Sequence, residues 1–400
     1  MKRSVAMGWV ATDVLSTFGD QLYKFALPWV ILAATGSTWD LSLISTVQQG
    51  ALLLFGLAIG VLMDRPRRLQ WMILALVSEA ISVGVISYFP MNKPVTLVAV
   101  YGLIFVIATM SQLYKTGVRA VLPLVVRDGR LEQANGLIQT ARTAMQMVGP
   151  IAAGWLVLRM HRAPFVLDGL SFLMLAATLF AMQSAIRSRL PAAASRSSLW
   201  RDAREGIRYL RGDKVLFRFA IIMAMTNLGL TGTLAMVIYP IQREFHLHST
   251  VGGLILAGAA LASMVGSLVT ARVVSRLGTM KALVASLILL GMGTAAMATS
   301  VLGVFFGGYA LTLACAALFN VAMLSLQQRR TPAELRGRVT STSLVLSRIT
   351  APIGAAGTGL IGSMSTVETA LLVDASIVCG AALAAVWAVQ SLRKTMNVAT

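Results

Sequence analysis

Twelve long stretches of predominantly apolar residues follow one another along this chain, separated by charged or Gly/Pro-containing breaks. A helix needs roughly 20 apolar residues to cross a bilayer, so each stretch predicts one membrane-spanning helix. Charged residues make up only 12% of the chain, whereas soluble domains carry about a quarter. The predicted spans 1 to 12 cover residues 8–34, 40–63, 69–90, 95–120, 132–158, 163–186, 215–241, 250–273, 280–299, 301–326, 338–364 and 367–390. The sequence therefore predicts an all-α membrane protein with twelve transmembrane helices.

A single long polar stretch divides the twelve spans six and six. We expect an N-terminal six-helix bundle over residues 1–186, a cytoplasmic central loop over 187–214 and a C-terminal six-helix bundle over 215–400. Equal numbers of spans on either side of one loop indicate two pseudo-symmetric halves. Repeated bundles of this kind are typical of transporters, with a substrate site at the interface of the repeats near the membrane midplane.

Short sequence similarities support this duplication. An offset of 206 residues aligns "LDGLSF", which contains Asp168, with "VDASIV", which contains Asp374. Because the two acids repeat symmetrically, a structural role is favoured for both. An offset of 212 places Gly232 opposite Asp20, so the second half has no acid where the first half has one. A charge kept on one side of a pseudo-symmetric bundle suits a substrate or proton site.

The basic excess of the chain, a formal net charge of +19, follows the loops. With the N-terminus inside, 27 of the 34 Lys and Arg residues fall in cytoplasmic segments, and Lys115 counts among the four around the loop between spans 4 and 5. Cytoplasmic loops of membrane proteins carry such an excess. The charge therefore predicts that both termini are cytoplasmic, and it gives no reason to expect a nucleic acid partner.

The central loop contains an amphipathic helical pattern. Trp200, Ala203, Ile207 and Leu210 recur at spacings of three and four, while arginines occupy the rest of the turn. We expect a helix that lies on the membrane surface. Two roles fit it equally well: an interfacial strut on the anionic inner leaflet, or a solvated linker whose arginines only enforce topology.

Span 1 places charges inside the membrane. Asp13, Asp20 and Lys24 are spaced by seven and four residues and so share one helical face. Asp20 lies twelve residues into the span, or about 18 Å at 1.5 Å per residue, near the midplane. Asp20 and Lys24 are either a self-neutralised structural pair or a proton-coupling and substrate-binding site. Burial favours the neutral carboxylic acid and a nearby ammonium favours the carboxylate, so a cationic substrate or movement of Lys24 would change the balance.

Other polar residues in the spans are further candidates, because burying an ionisable group in a membrane is costly and such groups are mostly functional or paired. Arg142 and Arg348 need counter-charges, for which Glu79 is one candidate. If the arginines face the cavity, they favour an anionic or zwitterionic substrate; if they are paired with carboxylates, they are structural. Gln146 and Asn227 can line a cavity with hydrogen-bonding groups.

Span 2 ends in "GVLMDRPRRL", which resembles the signature of the loop between spans 2 and 3 in the major facilitator superfamily. Gly60, Asp64, Arg65, Arg67 and Arg68 match that signature, although Pro66 replaces two residues of it and shortens the turn. We expect Gly60 to allow close approach of neighbouring helices. The resemblance implies a cytoplasmic gate in which Asp64 accepts from cationic ends of adjacent segments. The alternative is that Arg67 and Arg68 serve only as topological anchors.

Several stretches resemble one branch of that superfamily, the bacterial exporters similar to macrolide-efflux and enterobactin-export proteins: "FGDQLYKFALPWVILAATGS", "LPLVVRDGRLEQANGLI", "LWRDAREGIRYLR" and "QQRRTPAELRGRV". "GPIAAG", with Gly149, Pro150 and Gly154, is similar to the Gly-Pro motif of antiporters in the family. Gly149 and Pro150 are expected to bend span 5 and allow close packing, whether as an antiporter motif or as an ordinary proline kink.

The resemblance implies a multi-pass transporter of a bacterial inner membrane, a proton-coupled exporter of drugs or other amphipathic molecules by alternating access. A siderophore or lysophospholipid transporter of the same fold is the alternative. The chain lacks a phosphate-cradling G-x-x-x-x-G-K-[ST] loop and an H-E-x-x-H or C-x-x-C motif. We therefore expect a protein that is not an enzyme and has no cofactor or metal site. Its expected partners are a small-molecule substrate, protons and the lipid bilayer, and we expect it to be a monomer.

Overall fold

The computed structural model describes residues 3–63, 67–91, 93–125, 131–187, 199–332 and 335–398. All regular structure in these ranges is helical. The α-helices are α1 (Arg3–Thr35), α2 (Thr38–Met63), α3 (Arg68–Ile86), α4 (Pro94–Val125), α5 (Leu131–Arg159), α6 (Ala163–Arg187), α7 (Leu199–Gly212), α8 (Lys214–Met236), α9 (Ser249–Leu277), α10 (Thr279–Ala296), α11 (Leu302–Arg330), α12 (Arg336–Arg348), α13 (Ala351–Met364) and α14 (Val367–Val398), with a π-helical turn at Pro240–Glu244.

The helices coincide with the twelve predicted spans, and the prediction of an all-α membrane protein is confirmed. Helices α1 to α6 correspond to spans 1 to 6, and α8 with its π-helical turn corresponds to span 7. Span 11 consists of two helices, α12 and α13, which meet at residues 349–350. Within the described ranges, nine helical segments are long and apolar enough to cross a membrane by length and composition; α1, α2 and α5 are outside this set.

The first compact unit comprises Met1–Gly36, Val47–Arg196 and Leu247–Ala257. Its central helix, α1, packs against α5 and α6, and α3 packs against α4 and α6. Gly19 of α1 provides the closest approach to α6, since a Cβ there would lie 2.6 Å from Asp168 Oδ1. The polar face of α1 is therefore enclosed by helices of its own unit.

The second compact unit comprises Ser37–Thr46, Ser197–His246 and Gly258–Thr400. It has the same internal packing: α8 packs against α13 and α14, and α10 packs against α11 and α14. Gly232 of α8 meets Asp374 of α14, because a Cβ there would lie 2.8 Å from Asp374 Oδ2. The two units thus repeat one arrangement, as the predicted duplication requires. The boundaries 1–186, 187–214 and 215–400 remain a prediction.

The packing changes the predicted alignment of the halves by one residue. Gly19 and Gly232 hold equivalent places against Asp168 and Asp374, so the offset between α1 and α8 is 213 rather than 212. Thr233 therefore occupies the place of Asp20. The second unit still has no acid at this position. It has the hydroxyl of Thr233 rather than the glycine, Gly232, that the offset of 212 predicted.

Helix α7 belongs to the second unit, where it packs against α12. Gly206 allows this contact, since a Cβ would lie 2.9 Å from the carbonyl oxygen of Arg338. Glu205 forms an ion pair with Arg338, and the Tyr209 hydroxyl donates to the carbonyl oxygen of Arg330 over 2.6 Å. At the end of the helix, Asp213 caps α8 by accepting from the backbone of residues 215 and 216. The predicted amphipathic helix is thus fastened along its length to one unit.

Candidate functional site: a charged cavity in the first unit

A polar cavity of about 260 Å³ lies inside the first unit among α1, α3, α4, α5 and α6. Three acids and three bases line it, together with uncharged polar groups. The lining residues are Asp13, Ser16, Thr17, Asp20, Gln21, Lys24, Glu79, Ser111, Tyr114, Lys115, Gln139, Arg142, Gln146 and Phe172. Asp13, Asp20 and Lys24, which were predicted to share one face of α1, all line this cavity.

Asp20 is held by two lysines. Lys24 Nζ lies 3.4 Å from Asp20 Oδ2, one turn further along α1, and Lys115 Nζ of α4 lies 3.7 Å from the same oxygen. Lys115 also donates to Ser111 Oγ over 2.7 Å. The lysine side chains are 47% and 44% exposed, whereas that of Asp20 is 17% exposed. The carboxylate is therefore largely buried in the wall, whereas its two counter-charges are about half exposed to the cavity.

Asp13 forms a second, more tightly bonded cluster two turns before Asp20. It accepts from Arg142 Nη2 of α5 over 2.9 Å and from the Tyr114 hydroxyl of α4 over 2.8 Å. The Asp13 side chain is only 6% exposed. Arg142 thus has Asp13 as its partner, and the suggestion that Glu79 supplies this counter-charge is wrong. The pairing joins α1, α4 and α5 at one level of the bundle.

Glu79 of α3 also lines the cavity but is only 1% exposed, and its Oε1 has no hydrogen-bond partner among the described residues. An ionised carboxylate at this position is costly, because no described donor stabilises the charge on the buried Oε1. Glu79 lies within electrostatic reach of Asp20, Lys115 and Lys24. It is the kind of group that takes up a proton or binds a cation entering the cavity.

The remaining predicted polar residues are distributed between the units. Gln146 of α5 lines the cavity beside Arg142. Asn227 of α8 belongs to the second unit, where its amide nitrogen donates to the carbonyl oxygen of Ser347 over 2.9 Å, next to the junction of α12 and α13. Arg348 is exposed at the end of α12 in the same unit. Asn227 and Arg348 are therefore not part of the first unit's cavity, and Asn227 supports a helix junction instead.

The "GPIAAG" motif makes close contacts along α5. A Cβ on Gly149 would lie 2.3 Å from Gln21 Cβ of α1, and a Cβ on Gly154 would lie 2.3 Å from the carbonyl oxygen of Ser249, where α9 begins. Pro150 lies inside α5, and its carbonyl oxygen would be 2.2 Å from a Cβ on Gly253. The motif thus gives α5 the close packing expected of it.

The loop signature is described only in part. Asp64 and Arg65 lie outside the described residues, Arg67 is exposed, and Arg68 begins α3. In the part of the chain that the structure describes, no atom lies within 4 Å of a Cβ placed on Gly60. The expectation that Gly60 permits close helix approach is therefore wrong for this structure, since open space surrounds it. The gate role of the signature remains a prediction.

Sequence reasoning missed the contribution of α4. It counted Lys115 among the cations around the loop between spans 4 and 5, near the end of the predicted span, whereas α4 continues to Val125, ten residues further on. Lys115 therefore lies about 15 Å inside the end of the helix, at 1.5 Å per residue. The signal that could have revealed this was the absence of a Gly/Pro pair or a polar turn before Pro123. Tyr114 and Ser111 were missed with it, because their partners become visible only once α4 is packed.

The charged and polar side chains that line the cavity determine which ligands it can bind. Asp13 and Asp20 are paired with the three bases, so a charged ligand that binds either acid must displace an existing pairing, whereas Glu79 can accept a proton without displacing one. Among the described residues, no three His, Cys, Asp or Glu side chains stand close enough together to hold a metal ion. Drug-sized ligand pockets measure about 300–1,000 Å³. At about 260 Å³, the cavity is suited to one polar group of a ligand rather than to a complete drug molecule.

Removal of Arg142 tests the Asp13 cluster. We expect Arg142→Met to lower the free energy of unfolding by about 1–3 kcal/mol, because it leaves a buried carboxylate with a single donor. The double variant Asp13→Asn/Arg142→Met is expected to recover part of this loss, since it removes the uncompensated charge as well. Thermal unfolding in detergent measures both. Equal destabilisation by the single and the double variant would contradict the pairing.

The family model described as Major Facilitator Superfamily matches residues 11–239 and 220–398, which together cover nearly the whole chain. The chain belongs to the Major Facilitator Superfamily. Members of this superfamily are multi-pass membrane transporters, and the predicted resemblance to it is confirmed.

Two curated relatives agree with this family. The chain is 30% identical over 274 residues to an uncharacterized MFS-type transporter, y4rN, of Sinorhizobium fredii, which covers 64% of the chain and 65% of the relative. It is 27% identical over 247 residues to Macrolide efflux protein A of Streptococcus pyogenes, covering 60% of the chain and 57% of the relative. The matched regions thus span less than two thirds of either relative, and the similarity to the macrolide-efflux branch is confirmed at that level.

Solved structures share the fold across nearly the whole chain. A bacterial homologue of the iron transporter ferroportin has a TM-score of 0.79 at 17% identity and covers 97% of this transporter and 99% of its own chain. A bacterial homologue of the human lysosomal transporter Spinster has a TM-score of 0.75 at 12% identity, covering 98% of both chains. At these identities the likeness concerns the fold alone, which is that of the superfamily.

Proposed function

We propose that this transporter is a proton-coupled exporter of amphipathic small molecules, of which macrolides are the first to test. The observation that carries the proposal is Asp20, a largely buried carboxylate in the cavity wall that is paired with two half-exposed lysines. The similarity to Macrolide efflux protein A supports the substrate class. The motif of Gly149, Pro150 and Gly154, which resembles that of antiporters, supports export in exchange for protons.

The coupling follows from competition for one carboxylate. With Lys24 and Lys115 in place, Asp20 is most stable ionised. A proton on Asp20 releases both lysines, and a cationic group of a substrate can replace them without the proton. Proton and substrate therefore bind in alternation, as antiport requires. Glu79 and Gln146 offer additional acceptors in the same cavity, and Arg142 is withheld from the substrate by its pairing with Asp13.

The proposal includes the location of the transporter. We place it in a bacterial cytoplasmic membrane as a monomer with both termini cytoplasmic, as the distribution of its lysines and arginines predicts. Substrate movement follows alternating access, the general scheme for transporters built from repeated bundles.

Reconstitution tests the function directly. Purified transporter in proteoliposomes is expected to move a radiolabelled macrolide when a pH gradient is imposed. When the lumen is acidic, macrolide is expected to enter while protons leave, so that the pH of the lumen rises. A protonophore is expected to abolish the macrolide gradient, because it removes the driving force. Protein-free liposomes are the control for passive partitioning of the drug. Transport that persists unchanged with the protonophore would rule out proton coupling, and the absence of any macrolide movement would rule out this substrate class.

A further inference from the structure

A second buried carboxyl lies behind the cavity wall, on α6. Asp168 is 1% exposed, and neither of its carboxyl oxygens has a hydrogen-bond partner in the described part of the chain. It faces α1 at Gly19, where a Cβ would lie 2.6 Å from Asp168 Oδ1. Buried polar groups in proteins nearly all have partners, so an unpaired carboxyl needs an explanation. The symmetry that suggested a purely structural role offers none.

The equivalent acid in the second unit is fully partnered. Asp374 of α14 faces Gly232 as Asp168 faces Gly19. Its Oδ2 lies 3.1 Å from the Thr233 hydroxyl, and its Oδ1 lies 2.8 Å from the Thr358 hydroxyl. A carboxyl at this position of the repeated packing arrangement can therefore have a hydrogen-bond donor for each of its oxygens. The isolation of Asp168 is a property of the first unit and not of the fold.

One difference between the units lies in the residue next to the glycine. Thr233 follows Gly232, whereas Asp20 follows Gly19, so one of the two hydroxyl partners is replaced by an acid. The charged and titratable groups that act on this part of α6 are Asp20, Tyr23 and Lys24 of α1, Glu79 of α3 and Lys115 of α4. The two lysines are engaged by Asp20. An ionised Asp168 would thus be a second negative charge beside an ionised Asp20, and like charges disfavour simultaneous ionisation.

We propose that Asp168 is a proton-binding residue whose protonation is linked to the charge of Asp20. Asp168 holds a proton while Asp20 is ionised and paired with its lysines. When a proton or a cationic group neutralises Asp20, Asp168 can ionise: its O–H bond breaks, a carboxylate remains on Asp168, and the proton passes to water or another carboxylate. The use of this proton in transport rests on the proposed function, whereas its presence on Asp168 does not.

Infrared spectroscopy of the purified full-length transporter tests the protonation itself. We expect Asp168→Asn to remove intensity from the C=O stretching band of neutral carboxylic acids at neutral pH. The matched control is Asp374→Asn, the same change at the equivalent site, whose carboxyl is held by two threonines; any intensity that it removes is expected at a different frequency. Neutral-carboxyl bands that are identical in wild type and Asp168→Asn would overturn the proposal.

A second measurement leaves Asp168 in place, in case its variant does not fold. In a Glu79→Gln background, which removes the other unpartnered acid, Asp20→Asn is expected to shift the loss of the neutral-carboxyl band to lower pH. A band that titrates at the same pH with and without Asp20 would overturn the linkage.

Proton release on macrolide addition, followed with a pH indicator in weak buffer, separates this inference from the proposed function. Asp168→Asn is expected to reduce the release seen in wild type, and Asp374→Asn is expected to retain it. If wild type releases no protons but Asp168→Asn still loses its infrared band, the proposed function fails and the proton-binding site stands. If wild type releases protons and Asp168→Asn releases the same number, the linkage to Asp20 is wrong.

Discussion

Replacement of Asp20 by Asn is expected to reduce macrolide transport driven by a pH gradient by about tenfold or more, because a carboxamide neither binds nor releases a proton at physiological pH. Substrate exchange without a gradient is expected to continue, since the cavity retains its shape and its other acceptors. The two activities are measured in the same proteoliposomes, with an imposed pH gradient in one series and with unlabelled macrolide on both sides in the other.

Asp374→Asn is the matched control for this prediction. It makes the same chemical change at a buried acid of the second unit, where Thr233 and Thr358 hold the carboxyl. We expect it to keep gradient-driven transport, so that only Asp20→Asn separates exchange from coupling. Gradient-driven transport at the wild-type rate in Asp20→Asn would contradict a coupling role and would leave Asp20, Lys24 and Lys115 as a structural cluster.

A large effect on stability is also expected from Gly154→Ala. The new Cβ would lie 2.3 Å from the carbonyl oxygen of Ser249, an atom of the backbone that cannot rotate away. The same contact is fixed by the Ser249 hydroxyl, which donates to the carbonyl oxygen of Gly154 over 2.7 Å. Overpacking of this kind costs about 1–3 kcal/mol. A lower midpoint of thermal unfolding in detergent is the expected result.

Gly136→Ala is the control on the same helix. No described atom lies within 4 Å of a Cβ at Gly136. Alanine is favoured over glycine inside a helix by roughly 0.5–1 kcal/mol, so this variant is expected to be as stable as wild type or slightly more stable. The two substitutions therefore have opposite expected signs. Equal midpoints for both variants would show that α5 and the start of α9 do not pack as closely as the structure describes.

The sequence predicts the helices well because a bilayer imposes one dominant requirement, a long apolar run for each crossing. It predicts pairings less well, because these depend on which helices become neighbours. Arg142 and Asp13 are 129 residues apart and meet only through the packing of α5 on α1. Lys115 was counted with the cations of the following loop because a cation near the end of a span resembles a topological anchor. Symmetry predicted the same role for Asp168 and Asp374, whereas two threonine hydroxyls hold Asp374 and no described group donates to the carboxyl oxygens of Asp168.

The attachment of α7 to α12 has a practical consequence for dividing the chain. Glu205 and Tyr209 tie α7 to residues that lie more than 120 positions further on, in the C-terminal half. A pair of separately expressed halves should therefore be cut before Leu199, so that α7 is synthesised with the helices that it contacts. A cut after Asp213 would also separate the cap of α8 from its helix, and the C-terminal fragment would begin with unbonded backbone amides.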